Sequence, residues 1–219
     1  MKTIQRILDY DDHRDSDKPN SISTTTLMGP MFKGQKYLDK TPKTFKTDLV
    51  LKRSSFLGTA AHNRMEHILG TFGDEYKLEE FGEREITVDS VVYTVAGSCD
   101  VLEKTPEGKY IIMDLKTFYG KERKEDALKK DALQMSIYRW ILEPFLGIEI
   151  EDRAWCLAMS QNINYIDEIP VELLSQDATY DYIENKLFAI AQNQKVDCRE
   201  GVKYNACLYC SYSCEERKH

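Results

Sequence analysis

With 219 residues, a formal net charge of −7, and 42% hydrophobic and 31% charged residues, the chain has an ordinary globular composition and can bury one full core. The excess of acidic over basic side chains disfavours a general nucleic-acid coat, whose affinity rests on cations. No apolar run approaches the roughly 18 residues of a membrane span. The start, Met1-Lys2-Thr3-Ile4-Gln5-Arg6, lacks the apolar stretch of a secretion signal, so a cytoplasmic location is expected.

In chain order, residues 1–20 are polar and Asp-rich, a loose lead-in. Ser21-Ile22-Ser23-Thr24-Thr25-Thr26 has a helix-cap composition and predicts a short helix through Tyr37. Residues 56–72 place Ala60, Ala61, Met65, Ile68 and Leu69 at helical spacing. Strands are predicted over 86–88, 91–102 and 110–117. The last two are separated by the turn Thr105-Pro106-Glu107-Gly108-Lys109. A second long helix is expected over 125–142, ending near Pro144 and Gly147. Strands over 153–159 and 165–169 follow, then an amphipathic helix over 179–192.

The strongest chemical signal is Ile111-Ile112-Met113-Asp114-Leu115-Lys116-Thr117, preceded by Gly97-Ser98-Cys99-Asp100. Positions i and i+2 of a strand share a face, so Asp114 and Lys116 project together while Met113 and Leu115 turn into packing. Asp100 is expected to end the strand that forms a hairpin with theirs. His62 and Glu66 stand at i and i+4 on the first long helix and share one of its faces. Taken singly, the histidine reads as structural, Asp100 as a turn residue, and Asp114 with Lys116 as a surface ion pair. Together they describe a metal-dependent phosphodiesterase site. His62, Asp100 and Asp114 offer one imidazole and two carboxylates, a set suited to Mg2+ and, through the imidazole, tilted towards Mn2+. Lys116 would steady phosphate charge. Two basic stretches read either as a DNA path or as solvated faces: Lys43, Lys46, Lys52 and Arg53, then Lys121, Arg123, Lys124, Lys129 and Lys130.

The constellation resembles the PD-(D/E)xK nuclease superfamily, most closely its RecB-like branch. The resemblance is carried by residues 58–66 (with His62 and Glu66), by 97–100, by 113–117, and by Gln134-Met135-Ser136-Ile137-Tyr138, which matches that branch's Gln-x-x-x-Tyr motif. The stretch from Ser21 to Leu38 looks faintly like the opening segment of such proteins. One departure is Cys99, where the superfamily name has proline. The resemblance implies an α/β, restriction-endonuclease-like core: a mixed sheet flanked by helices in αβββαβ order. It implies metal ligation by His62, Asp100, Asp114 and the Leu115 carbonyl, with Lys116 catalytic. Glu66 would tune the metal, carry a second one through water, or cap the site. Gln134 and Tyr138 would contact DNA or orient Lys116. The implied activity is divalent-metal-dependent DNA hydrolysis, exonucleolytic rather than endonucleolytic, in recombination, repair or phage DNA processing. A helicase or recombination partner and a bacterial or phage-infected cell go with it. The alternative is a non-catalytic DNA-binding or assembly module that kept the fold, which the filled Asp, Asp, Lys set disfavours.

Of six cysteines, Cys99 and Cys156 lie in strand-like runs and read as buried apolar residues. Cys198, Cys207, Cys210 and Cys214 crowd into 17 positions, which in a cytoplasmic protein suggests metal rather than disulfides. Structural zinc, an iron–sulfur cluster and free thiols stay open. Several RecB-like nucleases carry a four-iron (4Fe-4S) cluster on one cysteine before the core and three after it. This chain has none before 99, and Cys198 would have to stand in. The expected organisation is a lead-in over 1–50, a nuclease core over 51–195 and a cysteine-rich metal-binding tail over 196–219.

Overall fold

The computed structural model describes residues 18–29, 34, 37–39 and 49–192, with the backbone alone for 49–56. The four-cysteine cluster, the polar lead-in before residue 18 and the basic residues Lys43, Lys46, Lys52 and Arg53 therefore lie outside the described residues or side chains.

The element order is β1 (Ser21–Ser23), α1 (Thr24–Leu27), α2 (Leu49–Leu69), a 3-10 turn (Gly70–Glu75), β2 (Tyr76–Val88), β3 (Val91–Lys104), β4 (Tyr110–Phe118), α3 (Glu125–Leu146), β5 (Arg153–Ser160), β6 (Ile166–Glu172) and α4 (Gln176–Ala191). These are an α/β fold with a six-stranded mixed sheet. β2 and β3 form a long antiparallel hairpin closed by Asp89 and Ser90, both at positive φ, as a tight two-residue hairpin requires. β4 and β5 run parallel and α3 connects them, while β6 returns antiparallel to β5.

The other edge of β3 is what positions the site. β1 pairs with it in parallel at Thr94–Ala96, and β4 pairs antiparallel from Val101 to Lys104. Residues 97–100, between those two ladders, have no strand partner on this edge among the described residues. The interruption needs a small residue. A Cβ at Gly97 would lie 2.5 Å from Thr24 Oγ1 and 2.8 Å from the Tyr138 ring, so only glycine admits α1 and α3 so close to β3. Thr24, itself buried, donates to the Ala96 carbonyl at 3.1 Å and pins α1 there. The core is continuous from Ile22 through Leu102, Ile112, Met135, Trp140 and Ile141 to Ile183 and Leu187 of α4. Among the described residues no helix is long and apolar enough to cross a membrane.

Several expectations need correction. Ser21–Ser23 is a strand and Ser23 is the N-cap, accepting from the Thr26 N–H; the helix it opens lasts four residues and does not reach Tyr37. β2 begins ten residues before the predicted 86–88, because its first half reads as charged rather than alternating. α3 does not stop before Pro144 but continues to Leu146, ending at Gly147 in the left-handed conformation. The proline leaves the Trp140 carbonyl without its intrahelical donor. Arg84 Nη1 donates to that carbonyl at 2.8 Å while its guanidinium lies 4.2 Å over the Trp140 ring, so the helix survives. α4 opens at Gln176 under the Ser175 cap, three residues early. Asp100 does not end β3; it stands inside it, with four residues still to follow.

Candidate active site

The interruption in β3 is where the expected side chains meet. Asp100 Oδ2 accepts the Leu115 N–H at 2.8 Å, a side chain filling the place of a missing ladder bond. The same oxygen faces His62 Nδ1 of α2 at 3.3 Å. Opposite, Asp114 is 1% exposed, so it is not the surface ion-pair partner that it reads as when taken singly. Lys116 Nζ reaches its Oδ2 at 2.5 Å, an ion pair that offsets part of the cost of burying the carboxylate. Lys116 Nζ also donates to Gln134 Oε1 at 3.0 Å, and Gln134 Nε2 donates to the Tyr138 hydroxyl at 2.5 Å. Tyr138, Gln134, Lys116 and Asp114 thus form one polar chain, rooted where Gly97 gives the Tyr138 ring room.

The charges follow from the geometry. Burial pushes the Asp114 carboxyl up to about 6, against the attraction of Lys116. Burial alone would lower the Lys116 amine, but Asp114 beside it and Asp100 beyond hold it above its ordinary value, so it stays charged. Burial likewise opposes a charged His62, and the Asp100 carboxylate outweighs it, raising the ring's pKa. Glu66 is driven up to about 7, first by burial and then by its hydrogen bond and charge contact with Glu79. Its Oε1 is buried with no hydrogen-bond partner among the described residues.

Glu79 was not foreseen. It sits in the middle of β2 at φ +53°, between Leu78, paired with Val101, and Glu80, paired with Cys99, so its backbone turns out of the ladder opposite Asp100. Positive φ at a non-glycine inside a strand is costly and is found where a site imposes it. Glutamate carries no sequence mark for that conformation, and the alternation of β2 gives none.

His62, Asp100 and Glu66 come together on one side, and Asp114, Lys116, Gln134 and Tyr138 on the other. Among the described residues no three His, Cys, Asp or Glu side chains already stand at ligand spacing. Lys116 occupies the place beside Asp114 that a cation would compete for. The donor chemistry nonetheless fits a hard divalent ion: one imidazole and two partly or fully buried carboxylates, those of Asp100 and Asp114. Of the second basic stretch, Arg123 is not available to a ligand. Its guanidinium is spent in an interior pair with Asp131, and Lys129 pairs with Glu125 on the helix surface.

The profile of the PD-(D/E)XK nuclease superfamily matches residues 34–214 of the sequence. The chain belongs to this superfamily. A CRISPR-associated exonuclease Cas4 of Saccharolobus solfataricus is 29% identical over 125 residues, covering 57% of this chain and 60% of that protein. The chain therefore aligns with less than two thirds of that relative's length. The crystal structure of SSO0001 superposes with a TM-score of 0.65 at 20% identity, covering 100% of this chain and 94% of that one, a likeness of fold. The α/β core expected from the motifs is the fold observed, and the nuclease superfamily expected from residues 58–138 is the one matched.

Proposed function

We propose that the chain is a divalent-metal-dependent deoxyribonuclease that hydrolyses DNA from an end. The observation that carries the reading is Lys116, which bridges the buried Asp114 and Gln134 across from Asp100 and His62. His62, Asp100, Asp114 and the Leu115 carbonyl would hold Mg2+ or Mn2+, which when bound supplies an activated water and polarises the phosphate. Lys116 supplies positive charge where the phosphate oxygens gain negative charge in the transition state. Gln134, backed by Tyr138, fixes the direction of the Lys116 ammonium. Glu66 exchanges a proton near neutral pH beside His62 and sets the charge of the cleft. Exonuclease action is supported by the name of the Saccharolobus relative. A role in recombination, repair or phage DNA processing with a helicase or recombination partner, in the cytoplasm, completes the reading.

For the tail, we propose that residues 196–219 form a separate metal-binding segment after a core at 51–195 and a lead-in at 1–50. Cys198, Cys207, Cys210 and Cys214 would hold a 4Fe-4S cluster or Zn2+ as a staple with no catalytic part. Metal analysis of purified protein against Cys210→Ser tests this; equal iron and zinc in both removes the staple.

The activity is tested with end-labelled linear and closed circular DNA in Mn2+ and in Mg2+. Loss of the linear substrate alone is expected. Cutting of the circle would make the chain an endonuclease, and no cleavage in either metal would leave a binding module.

A further inference from the structure

We propose that Arg123 and Asp131 form a positioning clamp that sets the rotation of α3 about its axis, so that Gln134 meets Lys116. This rests on the hydrolytic reading of the same site and adds residues which the family motifs do not include. Asp131 is 3% exposed. Its carboxylate accepts Arg123 Nε at 2.9 Å and Nη2 at 2.8 Å, a bidentate fork that fixes direction as well as distance. The Cys156 thiol of β5 lies 3.6 Å from the same carboxylate, and Cys156 is the register partner of Asp114 in the β4–β5 ladder. Asp131 therefore stands over the strand position beside Asp114, while Gln134, one turn later on the same helix stripe, stands over Lys116.

The clamp also holds the polypeptide leaving β4. Arg123 comes from the connection between β4 and α3, with its guanidinium 5.9 Å from the Phe118 ring. The Phe118 ring in turn packs edge-on against Tyr165 at 5.9 Å. Gln161 N donates to the Phe118 carbonyl at 2.8 Å, Gly120 N to Asn162 Oδ1 at 2.9 Å, and Ser160 Oγ to the Gly120 carbonyl at 2.9 Å. Strand β4, its exit and the first turns of α3 are thus tied at successive points, with Asp131 the tie on the helix. A buried ion pair is seldom kept for stability, since apolar residues of similar volume are commonly as good or better. What apolar packing lacks is the fork's directionality, which a helix carrying a catalytic support needs.

The test is Arg123→Met/Asp131→Leu in the full chain, which replaces the pair by apolar bulk, with Arg123→Lys as a milder variant should the double replacement not fold. Melting temperature, kcat and KM on end-labelled DNA with Mn2+ are measured in wild-type and Gln134→Ala backgrounds, and the Gln134 side-chain amide NMR signals in the wild-type background alone. We expect a melting temperature within a few degrees of wild type. We expect kcat to fall about 10- to 100-fold with KM within about twofold, since small misplacements of a catalytic group cost that much. In the Gln134→Ala background a further loss below about twofold is expected, because residues acting through one another are not additive. Arg123→Lys, keeping charge without the fork, should lie between. Unmoved Gln134 amide signals, an unchanged kcat, or a loss that multiplies fully with Gln134→Ala would each overturn the clamp. If the wild type cuts no DNA while those signals shift in the double variant, the clamp stands and the hydrolytic reading fails.

Discussion

Two charged clusters packed against helix α3, Arg139 with Asp152 and Asp114 with Lys116, differ in how far water reaches their carboxylates. Towards its C-terminal half, Arg139 is 3% exposed and donates to Asp152 Oδ1 at 2.6 Å and to the Leu174 carbonyl, while the Asp152 side chain is 94% exposed. That cluster joins helix to loop, and its carboxylate keeps its water. Near Gln134, the reverse holds. Asp114 is buried to 1%, its Oδ2 meets Lys116 Nζ at 2.5 Å, and burial still pushes its carboxyl up to about 6. A pair whose carboxylate keeps its water builds structure; a pair buried at both ends, with its carboxyl pushed towards neutral pH, is set up for chemistry.

Substitutions at Asp114 and Arg139 should separate the two clusters most clearly. Asp114→Asn keeps the volume, and we expect cleavage to fall about 10³-fold with a smaller change in melting temperature than Arg139→Met produces. Arg139→Met should cost about 2–3 kcal/mol through its charge-assisted hydrogen bonds and lower the melting temperature by roughly 5–10 °C, leaving kcat within about twofold below the transition. Equal effects of both on cleavage would erase the distinction.

Gly97→Ala sharpens it at one remove. The new methyl must displace the Tyr138 ring or Thr24. We expect a kcat loss of about 10-fold or more through Gln134; unchanged kinetics would show that the polar chain does not orient Lys116.

A pH series on Glu66 tests the strain in the site itself. In chelator, native Glu66 has its pKa raised to about 7, so the folded state binds its proton more tightly than the unfolded state. Its ionisation then subtracts stability as pH rises from about 4.5 through 7. Glu66→Gln mimics the protonated form, so it should melt higher than wild type at pH 8. The gap, a few degrees at most for a half-buried group, should close towards pH 5. A gap that widens on acidification would contradict the assignment.

The smallest effect concerns thiols. Burial, then the charge of Asp131, pushes the Cys156 thiol up to about 12, and burial raises Cys99 far above its ordinary range. Neither should react with iodoacetamide in the folded chain between pH 7 and 9, so native labelling reports the tail cysteines alone. Rapid modification of Cys156 would mean that β5 is open in solution.

The residues that touch in the site were largely legible because they sit on regular elements with a fixed period. Asp114 and Lys116 are two apart on a strand, His62 and Glu66 four apart on a helix, and Gln134 and Tyr138 four apart on another. The turn at 105–109 was equally plain, and its Thr105 and Lys109 backbones do pair at 2.9 Å. What stayed hidden depends on partners far away in sequence. Pro144 reads as a helix stop unless Arg84 is known to cover the Trp140 carbonyl. Ser21–Ser23 reads as a cap unless its pairing with Thr94–Ala96 is known. Arg123 reads as a surface cation until Asp131 is seen beneath it, and Glu79 has no local signal for its positive φ.

The role of Lys116 is tested by single-turnover cleavage of end-labelled linear DNA by wild type and Lys116→Ala, each with Mn2+ and with chelator. Wild type should cleave with Mn2+ and not with chelator, and Lys116→Ala, with its fold intact, should be at least about 10²-fold slower. Equal rates for the two proteins, or cleavage that persists in chelator, would contradict that expectation.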